Sequence, residues 1–180
     1  MHNLGTWKTA MTALTLRILE ARKILLRCCG TKICDLNRQL MLIYLADREC
    51  WQRLGKPLIP GPILATYEYG PVNMNALKLL KSEPRHEFFF QELSKAEVGI
   101  LHRVSIACQR LSNDELHARA HQLPEWRIPL LAGGDVIPLE HVLMAVGYSC
   151  EDAIQIAIGH DSMHGVGQVA VQNEALDAVA

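Results

Sequence analysis

Eight histidines and six cysteines are the side chains here best suited to metal or covalent chemistry, so their spacing decides which chemistry is open. His117 and His121 lie four residues apart, the separation at which two imidazoles share a helix face and can grip a metal. No acidic third ligand follows at matching spacing, so no metal is expected. Cys28, Cys29, Cys34, Cys50, Cys108 and Cys150 contain no C-x-x-C pair, and their scatter fits neither a disulfide framework nor a zinc site. Cys50, Cys108 and Cys150 fall near or within predicted helices and are expected to pack as small hydrophobes. A Cys and His nucleophile pair would need a shared pocket and a third, orienting group, and with so many of both residues a chance pairing is expected. There is no G-x-S-x-G elbow, phosphate loop or dinucleotide glycine pattern, and Gly133-Gly134-Asp135 reads as a turn. The expectation is a protein without catalysis and without a cofactor.

Charge inside an apolar helix is the next signal. From Ile33 to Leu54, Leu36, Leu40, Ile43, Tyr44, Trp51 and Leu54 recur at helical spacing, and Met41 and Leu45 widen the stripe until most of the helix is buried. Asp47, Arg48 and Glu49 interrupt that stripe. A buried charge without compensation costs several kcal/mol or shifts its pKa until it is neutral, so these residues need partners. Two readings stay open: a structural ion pair or cap, and a charge pair that faces a binding partner.

Gly55, Pro57, Pro60, Gly61 and Pro62 then end the helix and delay any new one. Ile63 to Tyr69 alternates in the period of a strand, with Ile63, Ala65, Tyr67 and Tyr69 on one side. Gly70 can adopt positive φ, and Pro71 suits the first position of a helix carrying Val72, Ala76, Leu79 and Leu80. The unit therefore reads helix, loop, short strand, helix.

Leu42-Ile43-Tyr44-Leu45-Ala46-Asp47-Arg48-Glu49, Gly55-Lys56-Pro57-Leu58-Ile59 and Tyr69-Gly70-Pro71-Val72 follow one another in this unit, and His121 with Trp126 comes after. In that order they resemble the Panacea domain, the family of SocA-like antitoxins. The resemblance extends from Leu14 to Ile158. It implies that Tyr44, Asp47, Gly70, Pro71 and His121 are family-motif residues with structural roles, His121 orienting the Pro124 to Trp126 turn through a hydrogen bond. It also implies an antitoxin that binds a cognate toxin, encoded next to it, directly and without turnover. Such a complex needs an interface of about 1,200 to 2,000 Å² with a few aromatic or arginine anchors. Arg48, Tyr67, Tyr69, Phe88, Phe89, Phe90 and Trp126 are the candidates, each with core packing as the alternative. Two departures stand out. Gln39 replaces the usual Lys, and only Ser82 to Leu93 separates the Gly70-Pro71-Val72 helix from the next long one. The sheet is expected to shrink to a hairpin or less, with the Phe run as a possible second strand against Ile63 to Tyr69.

The remaining elements have identifiable starts. Ser94 with Glu97 and Ser112 with Glu115 form two S-x-x-E capping boxes, the second opening a helix that Pro124 ends. Leu130 to Gly134 reads as a loop, Pro138 opens a helix that Gly147 stops, and Ser149 with Asp152 starts another through Ile156. The fold class is mainly α, a single compact helical domain with one short β-strand or hairpin inserted. Residues 1–13 read as an N-terminal extension, 14–158 as the domain, and 159–180 as a flexible tail that exposes His160 and His164.

With 180 residues and 49% hydrophobic content the chain can bury one sizeable core. Its 18 basic and 19 acidic residues leave a net charge of -1, no field to hold nucleic acid or an anionic membrane. Arg17, Glu20, Arg22 and Lys23 exclude a membrane span or signal core at Leu14 to Leu26, which points to a cytoplasmic protein. Arg17, Arg22, Lys23 and Arg27 read as a solvated face. A protease adaptor that delivers a bound client and a DNA-binding repressor are the rival functions. The repressor is disfavoured because no predicted helix concentrates Arg, Lys, Asn and Gln on its outer face.

Overall fold

The computed structural model describes residues 12–29, 35–82, 91–131 and 135–164. Helices α1 (Ala13–Cys29) and α2 (Leu36–Leu54) lead into a hairpin of β1 (Ile63–Thr66) and β2 (Gly70–Asn73). Four helices follow: α3 (Met74–Ser82), α4 (Lys95–Cys108), α5 (Asn113–His121) and α6 (Pro124–Leu131). The two-residue β3 (Val136–Ile137), α7 (Leu139–Ala145) and α8 (Cys150–His164) complete the described chain. The fold is mainly α with one small antiparallel sheet of order β2-β1-β3. Among the described residues no helix is long and apolar enough to cross a membrane.

Helix α2 is the axis of the molecule. Leu40, Met41, Leu42, Ile43 and Tyr44 are consecutive and all buried, so every side of the helix is covered along this stretch. One face joins α1, α3, α4 and α5 in a core that includes Ile18, Leu25, Leu40, Ile100, Leu101 and Leu116. Tyr44 and Trp51 on another face enter a second core with Ile63, Trp126, Val142 and Leu143. Asp35 caps its start by accepting the Arg38 N–H, and the Gly55 N–H closes its end on the Trp51 carbonyl. Both expected capping boxes are formed, Ser94 with Glu97 on α4 and Ser112 with Glu115 on α5.

The strand pattern is corrected in three places. The strand from Ile63 stops at Thr66, Tyr67 to Tyr69 turn, and the chain pairs back on itself with Ala65 opposite Pro71. Pro71 therefore lies in an edge strand, where a missing N–H is tolerated, and not at the start of a helix. Helix α3 begins three residues later, opened by Asn73, whose Oδ1 accepts the N–H groups of Asn75 and Ala76. The other side of β1 is occupied by β3, Ile63 opposite Ile137 and Leu64 opposite Val136. The Phe88 to Phe90 run lies outside the described residues. Leu130 does not begin a loop, since α6 extends through Leu131.

Helix α8 continues past Ile156 to His164, and the His160 ring meets the Trp51 edge at 6.1 Å instead of standing in solvent. The basic face of α1 is solvated only in part: Arg27 is exposed and Lys23 half-buried, but the other two arginines are engaged. Arg17 donates to the carbonyls of Leu58 and Glu92 at 2.9 and 3.0 Å and pairs with Glu97 Oε1 at 2.7 Å, while Arg22 is buried.

Candidate partner-binding site

The Asp47 carboxylate shows why a charge interrupts the apolar stripe of α2. It is buried, and its Oδ1 accepts the Leu58 and Ile59 N–H groups at 2.6 and 3.0 Å. These donors lie in the proline-rich loop, which cannot satisfy them with a helix of its own. The Asn73 side-chain amide then donates to the Ile59 carbonyl at 2.8 Å, and Asn75 donates to that of Pro60 at 2.8 Å. Helix α2, the loop and the start of α3 are thereby tied into one unit. Gly61 is required where this loop passes α3: with φ of 142°, a Cβ there would come within 2.3 Å of the Asn75 side chain. Burial raises the Asp47 pKa to about 7 against the opposing pull of the two N–H donors and Arg17. Asp47 is scaffold.

Arg48, one residue on, points the other way. Its Nε pairs with Glu125 Oε1 at 2.5 Å, and the same oxygen accepts the Tyr44 hydroxyl at 2.9 Å. The Glu125 side chain is 0% exposed and that of Arg48 20%, so the carboxylate is sealed inside while the Arg48 side chain is partly open to solvent. Glu125 lies in the first turn of α6, where the helix dipole helps to hold a buried anion.

Beside this pair the hairpin tip and two helix ends assemble an aromatic stack. The His121 ring lies on Trp126 at 4.0 Å between centroids and 8° between planes. Tyr67 meets Trp126 edge-on at 6.1 Å, and His117 lies 3.8 Å from His121. Trp126 Nε1 donates to the Thr66 carbonyl at 3.2 Å, and His117 Nε2 lies 3.1 Å from the Tyr67 carbonyl oxygen. His121 orients the α6 start by stacking and not through a hydrogen bond from Nε2, which has no partner. Burial and the neighbouring His117 both lower its pKa. The tip fits closely because Gly70, with φ of 73°, sits where a Cβ would come 3.1 Å from that of Ala120 on α5.

The residues singled out from sequence thus separate by exposure. Tyr67 is 74% exposed, Arg48 is half-buried, and Trp126 and Tyr69 are buried, Tyr69 with the Lys81 ammonium 5.1 Å from its ring centre. Tyr67 contacts Trp126, and Arg48 contacts Glu125, the residue before Trp126 on α6. Glu125 was missed from sequence. Its one signal is that it immediately precedes Trp126 in the Pro124-Glu125-Trp126 turn.

Residues 41–127, from α2 to α6, match the family model described as antitoxin SocA-like, Panacea domain. Residues 41–127 are similar to a Panacea domain. The match is narrower than the Leu14 to Ile158 extent of the sequence resemblance, and it takes in the whole Asp47 scaffold, Arg48, Glu125 and the aromatic stack. Helices α1, α7 and α8 lie outside the matched residues, α1 within the same core. No curated protein and no solved structure matches the chain.

The matched segment also holds two of the cysteines. Burial pushes the Cys50 thiol up to about 12, with Asp47 and Glu97 adding to the shift, and burial raises Cys108 as well. Cys28 Sγ, by contrast, lies 3.1 Å from His102 Nδ1 at the α1 and α4 surface, and Cys150, expected from the sequence to pack as a small hydrophobe, is exposed at the first position of α8. Brief iodoacetamide treatment of the folded protein is expected to label Cys28 and Cys150 and to spare Cys50 and Cys108. Peptide mass mapping reads the result; labelling of Cys50 at the rate of Cys150 would contradict its burial.

Proposed function

We propose that this chain is a cytoplasmic antitoxin that neutralises a small toxin protein by binding it directly, in a stoichiometric complex and without turnover. The match of residues 41–127 to the SocA-like antitoxin family carries this reading. The geometry supports it: Asp47 and Gly70 of the motifs serve the scaffold, and the hairpin tip presents Tyr67, 74% exposed, on the Trp126 and His121 stack. Rigid aromatic and arginine anchors of this kind dominate protein interfaces.

Expression of the adjacent small open reading frame, with and without this chain from a second promoter, tests the reading. Growth arrest by the neighbour and recovery with this chain are expected; a toxic neighbour that is not rescued would contradict it for that pair.

Tyr67→Ala is expected to weaken toxin binding at least tenfold while the melting temperature stays within about 2 °C, because a side chain this exposed adds little to the fold. Titration calorimetry and a thermal melt check both halves. Unchanged affinity would remove Tyr67 from the interface.

A further inference from the structure

An open groove of about 610 Å³ runs between α2 and α4 and ends at Val146, just beyond α7. Leu45, Val104, Ala107 and Val146 give it an apolar lining, and Ile106 stands on it with 68% of its surface exposed. Its rim is basic. Arg53 and Arg103, about half exposed, converge on a single oxygen, Glu49 Oε1, at 2.6 and 2.9 Å. Among the described residues Glu49 is the only acid lining the groove, and Arg48 is already matched by Glu125. One carboxylate oxygen shared by two guanidiniums leaves donors and a positive charge in excess.

The complementary surface is on the same chain. Helix α8 packs inward through Ala153 and Ala157 and carries Ile154 and Ile158 on its outer face, 43% and 58% exposed. Glu151, Ile154 and Ile158 are spaced i, i+3 and i+7 and so share one face. Glu151 and Asp152 make the first turn acidic, and α8 contains no Lys or Arg. An apolar helical stripe with an acidic end matches an apolar groove with a basic rim, in the spacing by which helices dock into grooves. The α8 of the same chain is held with its inner face on α7, so its isoleucines face outward.

We propose that the groove between α2 and α4 receives the outer face of α8 from a second copy of this chain. Reciprocal exchange makes the contact isologous, each copy giving one helix and receiving one, and so doubles the buried surface toward that of a stable dimer. Arg48, a candidate toxin anchor, also lines this groove, so the two surfaces meet there.

Sedimentation equilibrium of the full chain at 1 to 100 µM tests it. The wild type is expected at twice the 20.1 kDa chain mass. Ile106→Asp and Ile154→Asp, both at exposed positions, are each expected to weaken association at least tenfold with unchanged thermal melts. An equimolar mixture of the two variants keeps one intact groove and one intact helix stripe, and is expected to associate more tightly than either variant alone. A wild-type monomer throughout, a dimer indifferent to both substitutions, or a mixture no tighter than its components would each overturn the proposal.

Discussion

Replacing Asp47 by alanine is expected to lower the unfolding free energy at pH 5 by about 3 kcal/mol, because it leaves two buried backbone N–H groups without an acceptor. Leu58 and Ile59 are almost wholly buried, so water cannot substitute without opening the loop. Asp47→Asn separates hydrogen bonding from charge, since its amide oxygen can still accept both bonds. A folded-state pKa of about 7, against about 3.8 for an unperturbed Asp, means the folded protein holds this proton more tightly than the unfolded chain. Stability from this group is present below about pH 4 and is lost as pH rises toward 7, by an amount on the order of a few kcal/mol. Glu97 runs the other way. Burial disfavours its charge, but hydrogen bonds from Ser94, Arg17 and Lys56 outweigh that and hold its pKa at about 2. Its contribution is present above about pH 4.5 and lost on further acidification. Urea titrations of the wild type should therefore give a maximum near pH 4 to 5, and Asp47→Asn should flatten the decline from there to pH 7. An unaltered decline in Asp47→Asn would show that another group causes it.

Glu125→Ala is the second large effect, with an expected loss on the order of 3 kcal/mol. The substitution strips the Tyr44 hydroxyl of its acceptor at a position only 1% exposed. It also leaves the Arg48 guanidinium with the Ala145 carbonyl at 3.5 Å, a weak partner. Arg48 reaches solvent, which limits its share of the cost; Tyr44 cannot. Adding Tyr44→Phe to Glu125→Ala should therefore recover part of the loss, and a double-mutant cycle by chemical denaturation measures how much. Purely additive costs would mean that the hydroxyl and the carboxylate do not interact in solution.

The sequence announced those features whose causes are local. Ser94 and Ser112 with their glutamates mark two helix starts because a capping box is made within four residues, and both are formed. The stripe from Leu36 to Leu54 marks α2, and Asp47 and Arg48 within it announce a need for partners. Which partners could not be read, because Asp47 reaches 12 residues along the chain to Ile59 and Tyr44 reaches 81 residues to Glu125. Neither distance leaves a periodic signal.

Pro71 misled because local preference favours a helix start after Gly70, whereas its real setting, an edge strand against Ala65, is decided by tertiary pairing. Strand β3 has two residues, too few for any period to show, and it exists because β1 offers a free side to pair with. At the candidate site, the residue types Tyr67, His121 and Trp126 were legible, but their stacking depends on the hairpin tip meeting α5 and α6. Exposure then distinguishes Tyr67 from Tyr69, two residues apart with the same side chain.

The central claim is neutralisation by a stoichiometric, non-destructive complex. Its most direct test is quantitative immunoblotting of the adjacent gene product in rescued cells, combined with purification of this chain and measurement of the ratio in which the two proteins co-elute. Abundant toxin recovered in a fixed complex with this chain is the predicted result. Rescue accompanied by loss of the toxin protein, or by a toxin that remains abundant but free, would contradict it.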